Sequence, residues 1–312
     1  MFEIKRYSPE DAAQWNQFVA GSKNGTFLLD RRYMDYHSDR FVDCSLMFFL
    51  HGRLYALLPA NLRGDELWSH GGLTYGGLIM GTDIKADDTL QLFTELNKWL
   101  KAEGIKRVVY KAIPWIYQQI PAEEDLYAMW RTCRPKLLAR DIASTIDMQR
   151  RIKWSRDRKY GINRARTYGI SIERSTNFEG FWKVLDWNLM HTYGVEPVHT
   201  LEEMQLLHSR FPNNIVLYVA RLNGEVIGGT VIYLTPRVAH AQYISANAEG
   251  KHLRVIDAIY NKVLNEDLAD YPYFDFGKST EELGHVLNST LIYQKEGFGG
   301  RGVCYDWYEW TL

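Results

Sequence analysis

Chemistry-bearing side chains gather near the C-terminal end of the 312-residue chain, between Asp275 and Arg301. Asp275 lies near the end of a short apolar run, Tyr273–Phe276, where a strand-terminal carboxylate can orient an amine or, more plainly, cap the next turn. Gly277 and Lys278 follow it as candidate substrate or phosphate contacts, and Tyr293 and Lys295 stand further on. A second concentration is Arg150–Arg166, with eight cations against one acid, Asp157. Arginine matches phosphate oxygens two at a time, so Arg158, Arg164 and Arg166 are candidate phosphate ligands. The common fate of such a run is a solvated helix face. In the first half, Gly71-Gly72 and Gly76-Gly77 bracket Tyr75, and glycine lets a ligand approach the backbone. Tyr75 and Gly76 are candidate contacts there, the alternative being an ordinary loop and bulge.

Several familiar chemistries are excluded. Gly277-Lys278-Ser279 has the tail of a phosphate-binding P-loop, but the glycine needed five residues earlier is Pro272. Asp275-Phe276-Gly277 lacks the catalytic and glycine-rich loops of a kinase. There is no GxSxG or HExxH segment, and no two of the nine histidines stand at i, i+2 or i, i+4, which argues against a metal site. Three widely spaced cysteines form no disulfide framework and suit a reducing compartment. A net charge of −1 makes any polyanion site a local patch. With no signal-like N-terminus and no run approaching ~20 apolar residues, a cytoplasmic protein without a membrane span is expected.

The elements that must position these residues come in two copies. Asn223-Gly224 between apolar runs marks a hairpin over Asn214–Leu234, since both turn positions need φ > 0. Gly228-Gly229 in its second strand marks a bulge or a close approach of another chain segment. Leu46–Leu50, His51-Gly52 and Leu54–Leu58 form a looser counterpart. A helix precedes each hairpin (Asp11–Val19, Phe178–Met190). A strand follows each (Gly72–Met80, Val238–Ser245), then a long amphipathic helix (Thr89–Glu103, Leu253–Leu268) and a short strand (Lys106–Tyr110, Tyr273–Phe276). The expectation is an α/β protein of two tandem units, each a mixed sheet flanked by helices. They span residues 1–149 and 170–312, with 150–169 as a basic connecting helix that enters the second unit at Ile170–Glu173.

Tyr293-Gln294-Lys295-Glu296-Gly297-Phe298 resembles the Tyr-x-x-x-Gly-Phe close of the GNAT acyltransferase fold, and Val219–Gly229 resembles that fold's second and third strands. Three segments resemble the FemABX family, which duplicates it: Ser155–Ile172 its basic linker, Tyr273–Gly277 its Y-D-F-G, and Gln294–Gly299 its F-K-x-x-F-G, with Gln294 in place of the aromatic. The resemblance implies two tandem GNAT-like domains and transfer of an acyl or aminoacyl group to an amine of a peptide or small-molecule acceptor. The donor would be aminoacyl-tRNA, or acetyl-CoA or another acyl-CoA. It implies that Tyr293 protonates the leaving group and that Lys295 binds phosphate or polarises the acyl carbonyl. Plain structural roles for both stand beside these. The CoA pyrophosphate loop would fall at Asn247–Arg254, where its glycine pattern is absent; Asn247 is the candidate contact there. Acetyl-CoA-dependent N-acetylation and a non-catalytic ligand-binding protein on the same duplicated scaffold remain alternatives.

Overall fold

The computed structural model describes residues 1–312, the side chain of Tyr193 excepted. In chain order the first elements are β1 (Glu3–Arg6), α1 (Ala12–Gly21), α2 (Arg31–Met34), β2 (Val42–Asp43), β3 (Leu46–Leu50), β4 (Arg53–Leu58), β5 (Asn61–Arg63), β6 (Glu66–Trp68) and β7 (Ile79–Met80). Next come α3 (Ala86–Ala102), β8 (Arg107–Lys111), α4 (Glu124–Cys133), β9 (Lys136–Asp147), α5 (Arg156–Thr167), β10 (Ser171–Ser175), α6 (Phe178–Tyr193), α7 (Leu201–Arg210) and β11 (Ile215–Leu222). The last are β12 (Glu225–Leu234), β13 (Val238–Ala246), α8 (Ala248–Leu253), α9 (Val255–Lys262), β14 (Tyr273–Lys278), β15 (Thr280–Glu281), β16 (Val286–Leu287), α10 (Ser289–Glu296) and β17 (Arg301–Thr311).

These elements form two compact units. Unit 1 is Met1–Ile142 with Thr280–Val286 and Cys304–Leu312; unit 2 is Ala143–Ser279 with Leu287–Val303. The segment expected as a connector, 150–169, thus lies inside unit 2, and most of the last strand lies in unit 1. The helix within that segment starts only at Arg156, capped by Ser155.

In unit 2 an antiparallel run β10–β11–β12–β13 is extended by β14, parallel to β13, and then by residues 143–147 of β9, antiparallel to β14. Neighbouring strand residues face opposite sides of a sheet, and Gly228 and Gly229 use both. A Cβ on Gly228 would lie 2.6 Å from Val255 of α9, and one on Gly229 would lie 2.6 Å from Phe181 of α6. The glycine pair therefore lets two helices close on opposite faces of β12, the close approach expected for it. Val255, Ile259, Tyr260 and Val263 bury one such face with Phe274, Phe276 and Phe298.

Unit 1 holds the sheet β1–β3–β4–β7 and the strand run β17–β8–β6–β5–β2, over a core that includes Phe48, Leu92, Phe93, Leu96 and Val108. Its hairpin repeats that of unit 2 in detail. His51 and Gly52 both have positive φ, as do Asn223 and Gly224. Each return strand carries one extra residue three places after the turn glycine, Tyr55 in β4 and Ile227 in β12. The bulge carbonyls do the same work: Tyr55 O accepts from Gly81 N and Ile227 O from Asn247 N, each just past the following strand. Matching bulges with matching partners are what an internal duplication leaves.

Two expected elements are corrected. Of Gly72–Met80 only Ile79–Met80 is strand. The preceding backbone bonds elsewhere, Gly76 N to Lys111 O and Leu78 N to the Tyr110 hydroxyl, while the Lys111 ammonium donates to Leu73 O. The helix expected over Leu253–Leu268 is interrupted at Arg254, where φ is +62°, and closes in a π turn over Val263–Asp267.

His37 and His70 give unit 1 a pH dependence. Both are buried and their rings stand 5.3 Å apart. Among the described residues neither His37 nitrogen, nor Nδ1 of His70, has a hydrogen-bond partner. Burial pushes His37 down to about 4 and His70 to about 3, with Arg40 adding to the first and His37 and Lys111 to the second. Neutral rings in the fold mean that the unfolded chain takes up protons first. Stability is complete above the ordinary histidine value and falls as pH drops towards the folded values, by up to about 1.4 kcal/mol per pH unit for each ring. Urea midpoints measured at pH 7 and pH 5 should show this loss, and His37→Phe should remove part of it.

Candidate functional site

β13 and β14 run parallel for three residues only, Val238 with Tyr273, Ala239 with Phe274 and His240 with Asp275. They then part. β13 acquires an extra residue, Gln242, opposite β12, and the pairing of β14 with β9 shifts between Asp275 and Lys278, across Gly277 at φ +72°. A bulge re-aims side chains and strand, so two local irregularities open a fork in the sheet. Its apex carries two ionisable side chains.

Asp275 is fully buried. Its Oδ2 meets His240 Nδ1 at 2.8 Å, while Oδ1 accepts from Thr145 Oγ1 at 3.0 Å and from Gly277 N at 3.2 Å. A carboxylate taking the Nδ1 proton leaves the imidazole's lone pair on Nε2. His240 keeps 12% of its side-chain surface exposed, so the buried member orients and the outer one reaches the fork. Gly277 permits this packing: a Cβ there would lie 3.2 Å from His240 Cε1.

Lys295 closes the back of the apex. Its Nζ donates to Gly277 O at 2.9 Å and Lys278 O at 2.6 Å, fixing the turn that ends β14. Burial pulls its ammonium down to about 8, with Asp275 acting in the opposite sense. The hydroxyls of Ser144 and Ser279, buried in the same unit, have no hydrogen-bond partner among the described residues. Gly300 brings two of these parts together, since a Cβ on it would stand 3.0 Å from Ser144 Cβ and 3.2 Å from Lys295 O. Among the described residues no cluster of three or more histidine, cysteine or acidic side chains could hold a metal ion.

A mixed sheet with a forked parallel pair, a flanking helix on each face and a second copy of the same hairpin characterises a known fold. Residues 153–283 match the family model described as Acetyltransferase (GNAT) domain. The chain is also similar in structure to FemX, with a TM-score of 0.69 at 10% identity over 99% of this chain and 97% of that one. The chain has a tandem, FemX-like GNAT fold. Two further solved structures share it: L-PGS from Bacillus licheniformis (TM-score 0.61, 11% identity, 97% of this chain and 91% of that one) and a tandem GNAT protein from the clavulanic acid biosynthesis pathway (0.51, 10%, 100% and 98%). No curated protein matches the sequence.

Within this GNAT fold the candidate residues divide. Asp275, Gly277, Lys278 and Lys295 meet at the fork. Tyr293 does not: it is two residues from Lys295, about 200° around the helix, and its side chain is 69% exposed on the far face of α10. Arg158 points inward, bonded to Asp257 at 2.5 Å and Asp157 at 2.8 Å. Arg164 bonds His252 through its backbone oxygen and ring. Arg166 is exposed on α5. Asn247 caps α8 by accepting from Gly250 N. Tyr75 and Gly76 belong to unit 1, where Tyr75 is buried with its hydroxyl on Thr26 and a Cβ on Gly76 would collide with Ser69 O.

His240 and Thr145 were missed by sequence reasoning. His240 stands inside the apolar run Val238–Ala246 and pairs with nothing nearby in sequence. Its one signal is position: it lies in one of two expected strands joined by a helix, and their parallel pairing sets it level with Asp275. The unit 1 counterpart of the fork is built otherwise, with the Tyr110 hydroxyl between Leu78 N and the Asp125 carboxylate.

Proposed function

We propose that the chain transfers an acyl or aminoacyl group to an amine at the fork of unit 2. The observation that carries this is the oriented His240–Asp275 pair at the apex where β13 and β14 part. His240 Nε2 removes a proton from the acceptor amine as nitrogen attacks the acyl carbon. The C–N bond forms, the tetrahedral centre collapses, and the bond to the donor's sulfur or oxygen breaks. The proton on His240 then passes to that leaving atom, so proton count and charge balance. Lys295 keeps the Gly277–Lys278 turn in register with the imidazole and adds positive charge beside the developing oxyanion.

Two features favour aminoacyl-tRNA over acyl-CoA as donor. A CoA pyrophosphate would seek the backbone N–H groups at the start of the helix after β13. There Asn247 already takes Gly250 N–H through its side chain and Lys251 N–H through its carbonyl. α5, by contrast, exposes Arg156, Lys159 and Arg166, and among the described residues none of the three is ion-paired. Tyr160 on the same helix and Tyr168 just past its end are exposed, and basic side chains interleaved with aromatics suit RNA.

The test is a transfer assay with charged tRNA and, separately, acetyl-CoA, using a peptide amine as acceptor. Transfer from tRNA should weaken with salt, the log–log binding slope falling by roughly 2 on Arg156→Ala/Lys159→Ala/Arg166→Ala. Transfer from acetyl-CoA alone would replace the donor assignment. No transfer from either sinks the enzymatic reading in favour of a ligand-binding protein on the same scaffold.

A further inference from the structure

Helix α4 of unit 1 presents a face that the site of unit 2 does not explain. Glu123, Tyr127, Trp130, Arg131 and Arg134 are exposed at helical spacing, while Asp125, Ala128 and Met129 are buried. The indole of Trp130 is 69% exposed and the ring of Tyr127 52%. The chain leaves the helix at Arg134, in left-handed conformation, and enters β9 with Lys136 and Leu137, the latter 48% exposed. Among the described residues nothing pairs with the side chains of Arg131, Arg134 or Lys136, or stacks on Trp130 or Tyr127. The acids lie at the other end of the helix: Glu124 is bonded to Lys23 and Asp125 is buried. Glu123 is about 16 Å away along the axis from Arg134.

Two large amphipathic rings and two uncompensated cations at one exposed helix end, with Lys136 and Leu137 following at the start of β9, form a definite chemistry. Trp and Tyr favour the boundary between water and hydrocarbon, and each Lys or Arg held near an anionic leaflet strengthens attraction to it. We propose that the C-terminal end of α4 and the start of β9 dock unit 1 on an anionic lipid surface. Trp130, Tyr127 and Leu137 enter the headgroup region, and Arg131, Arg134 and Lys136 face lipid phosphates. A second copy of the chain fits less well, because a two-fold contact through this face would set like charges together. A nucleic acid fits less well too: unlike α5, this surface sets an exposed aliphatic side chain, Leu137, beside its cations, and strand binders rely on charge and base stacking rather than aliphatic contact. The proposal is independent of acyl transfer.

The test is co-sedimentation of the full chain with vesicles of phosphatidylglycerol and phosphatidylcholine, and with vesicles of phosphatidylcholine alone. Wild type should bind the anionic vesicles and release them as salt rises. Arg131→Glu/Arg134→Glu should weaken binding by at least about 25-fold and Trp130→Ala by about tenfold. All three side chains are exposed, so thermal melting should stay unchanged and serves as the folding control. Absence of binding by folded wild type, or equal binding by all forms, overturns the proposal. It is equally overturned by a wild-type dimer that Trp130→Ala dissolves, or by single-stranded RNA that binds this face more tightly than vesicles do.

Discussion

Asp275→Asn is expected to lower the rate of acyl transfer by about 10²–10⁴-fold while leaving the fold nearly as stable as before. The hydrogen bonds around the carboxylate decide how the amide must sit. Thr145 Oγ1 and Gly277 N both donate to Oδ1, so the asparagine oxygen has to take that place and its NH₂ has to face His240. The amide then donates to His240 Nδ1 and drives the ring proton to Nε2. The imidazole keeps its position but presents a donor where the proposed mechanism needs a base. The contacts to Thr145, Gly277 and His240 survive, so the melting temperature should move by only a few degrees. His240→Gln should cost a similar factor, and the double variant little more than either single one, because the two residues act as one unit. A structural role for Asp275 predicts a different pattern, with large loss of stability and full activity in whatever protein remains folded. The measurement is kcat and KM for each variant beside its thermal melt. An Asp275→Asn protein as active as wild type removes the dyad from the mechanism.

The same pair shows where sequence reasoning works and where it stops. The Asn223-Gly224 hairpin was legible because both turn positions require positive φ, a local property, and His51-Gly52 was legible as its looser counterpart. The flanking helices were legible from their apolar spacing. From these the duplication and the mixed α/β fold follow. The site is not local. His240 and Asp275 become neighbours only because two parallel strands end their pairing there, and nothing within ten residues of either announces the other. Lys295 was legible as a candidate, but its spacing could not reveal that its ammonium closes the turn at Gly277. Tyr293 illustrates the opposite failure. A sequence fragment that suits the end of a fold places a hydroxyl two residues from a buried lysine, and helix geometry then turns it to solvent. The strand Gly72–Met80 was misread for a related reason: a repeated order of elements does not reveal that Tyr110 and Lys111, more than thirty residues on, take the backbone groups a strand would use. The last strand, finally, belongs with unit 1 although it follows unit 2 in sequence, and only long-range pairing decides that.

The basic segment carries the second large effect. Eight cations in one stretch suggested a phosphate-binding surface, but burial splits them into two populations with different fates. Arg158 is bonded to Asp257 at 2.5 Å, and Asp257, 1% exposed, is also bonded to Arg254 at 2.8 Å. Asp157 ties both guanidiniums from the outside. Burial raises Asp257 above its ordinary value, and the Arg158 and Arg254 charges oppose that rise. Gly161 makes room for the carboxylate, since a Cβ there would sit 1.8 Å from its Oδ2. Desolvation and attraction nearly cancel in such a pair, but removing one partner strands the other charge, at a cost of about 3–5 kcal/mol. Asp257→Ala should therefore lower the melting temperature by about 10 °C. Adding Arg158→Met should recover part of that loss, because no guanidinium is then buried without its carboxylate. Neither change should alter the salt dependence of RNA binding, which the exposed Arg156, Lys159 and Arg166 would set. Arg158→Met that reduces the salt slope without destabilising unit 2 would return Arg158 to the phosphate surface. The opposite result fixes the division of labour on α5, with the inner side anchoring the helix to α9 and the outer side available to a polyanion.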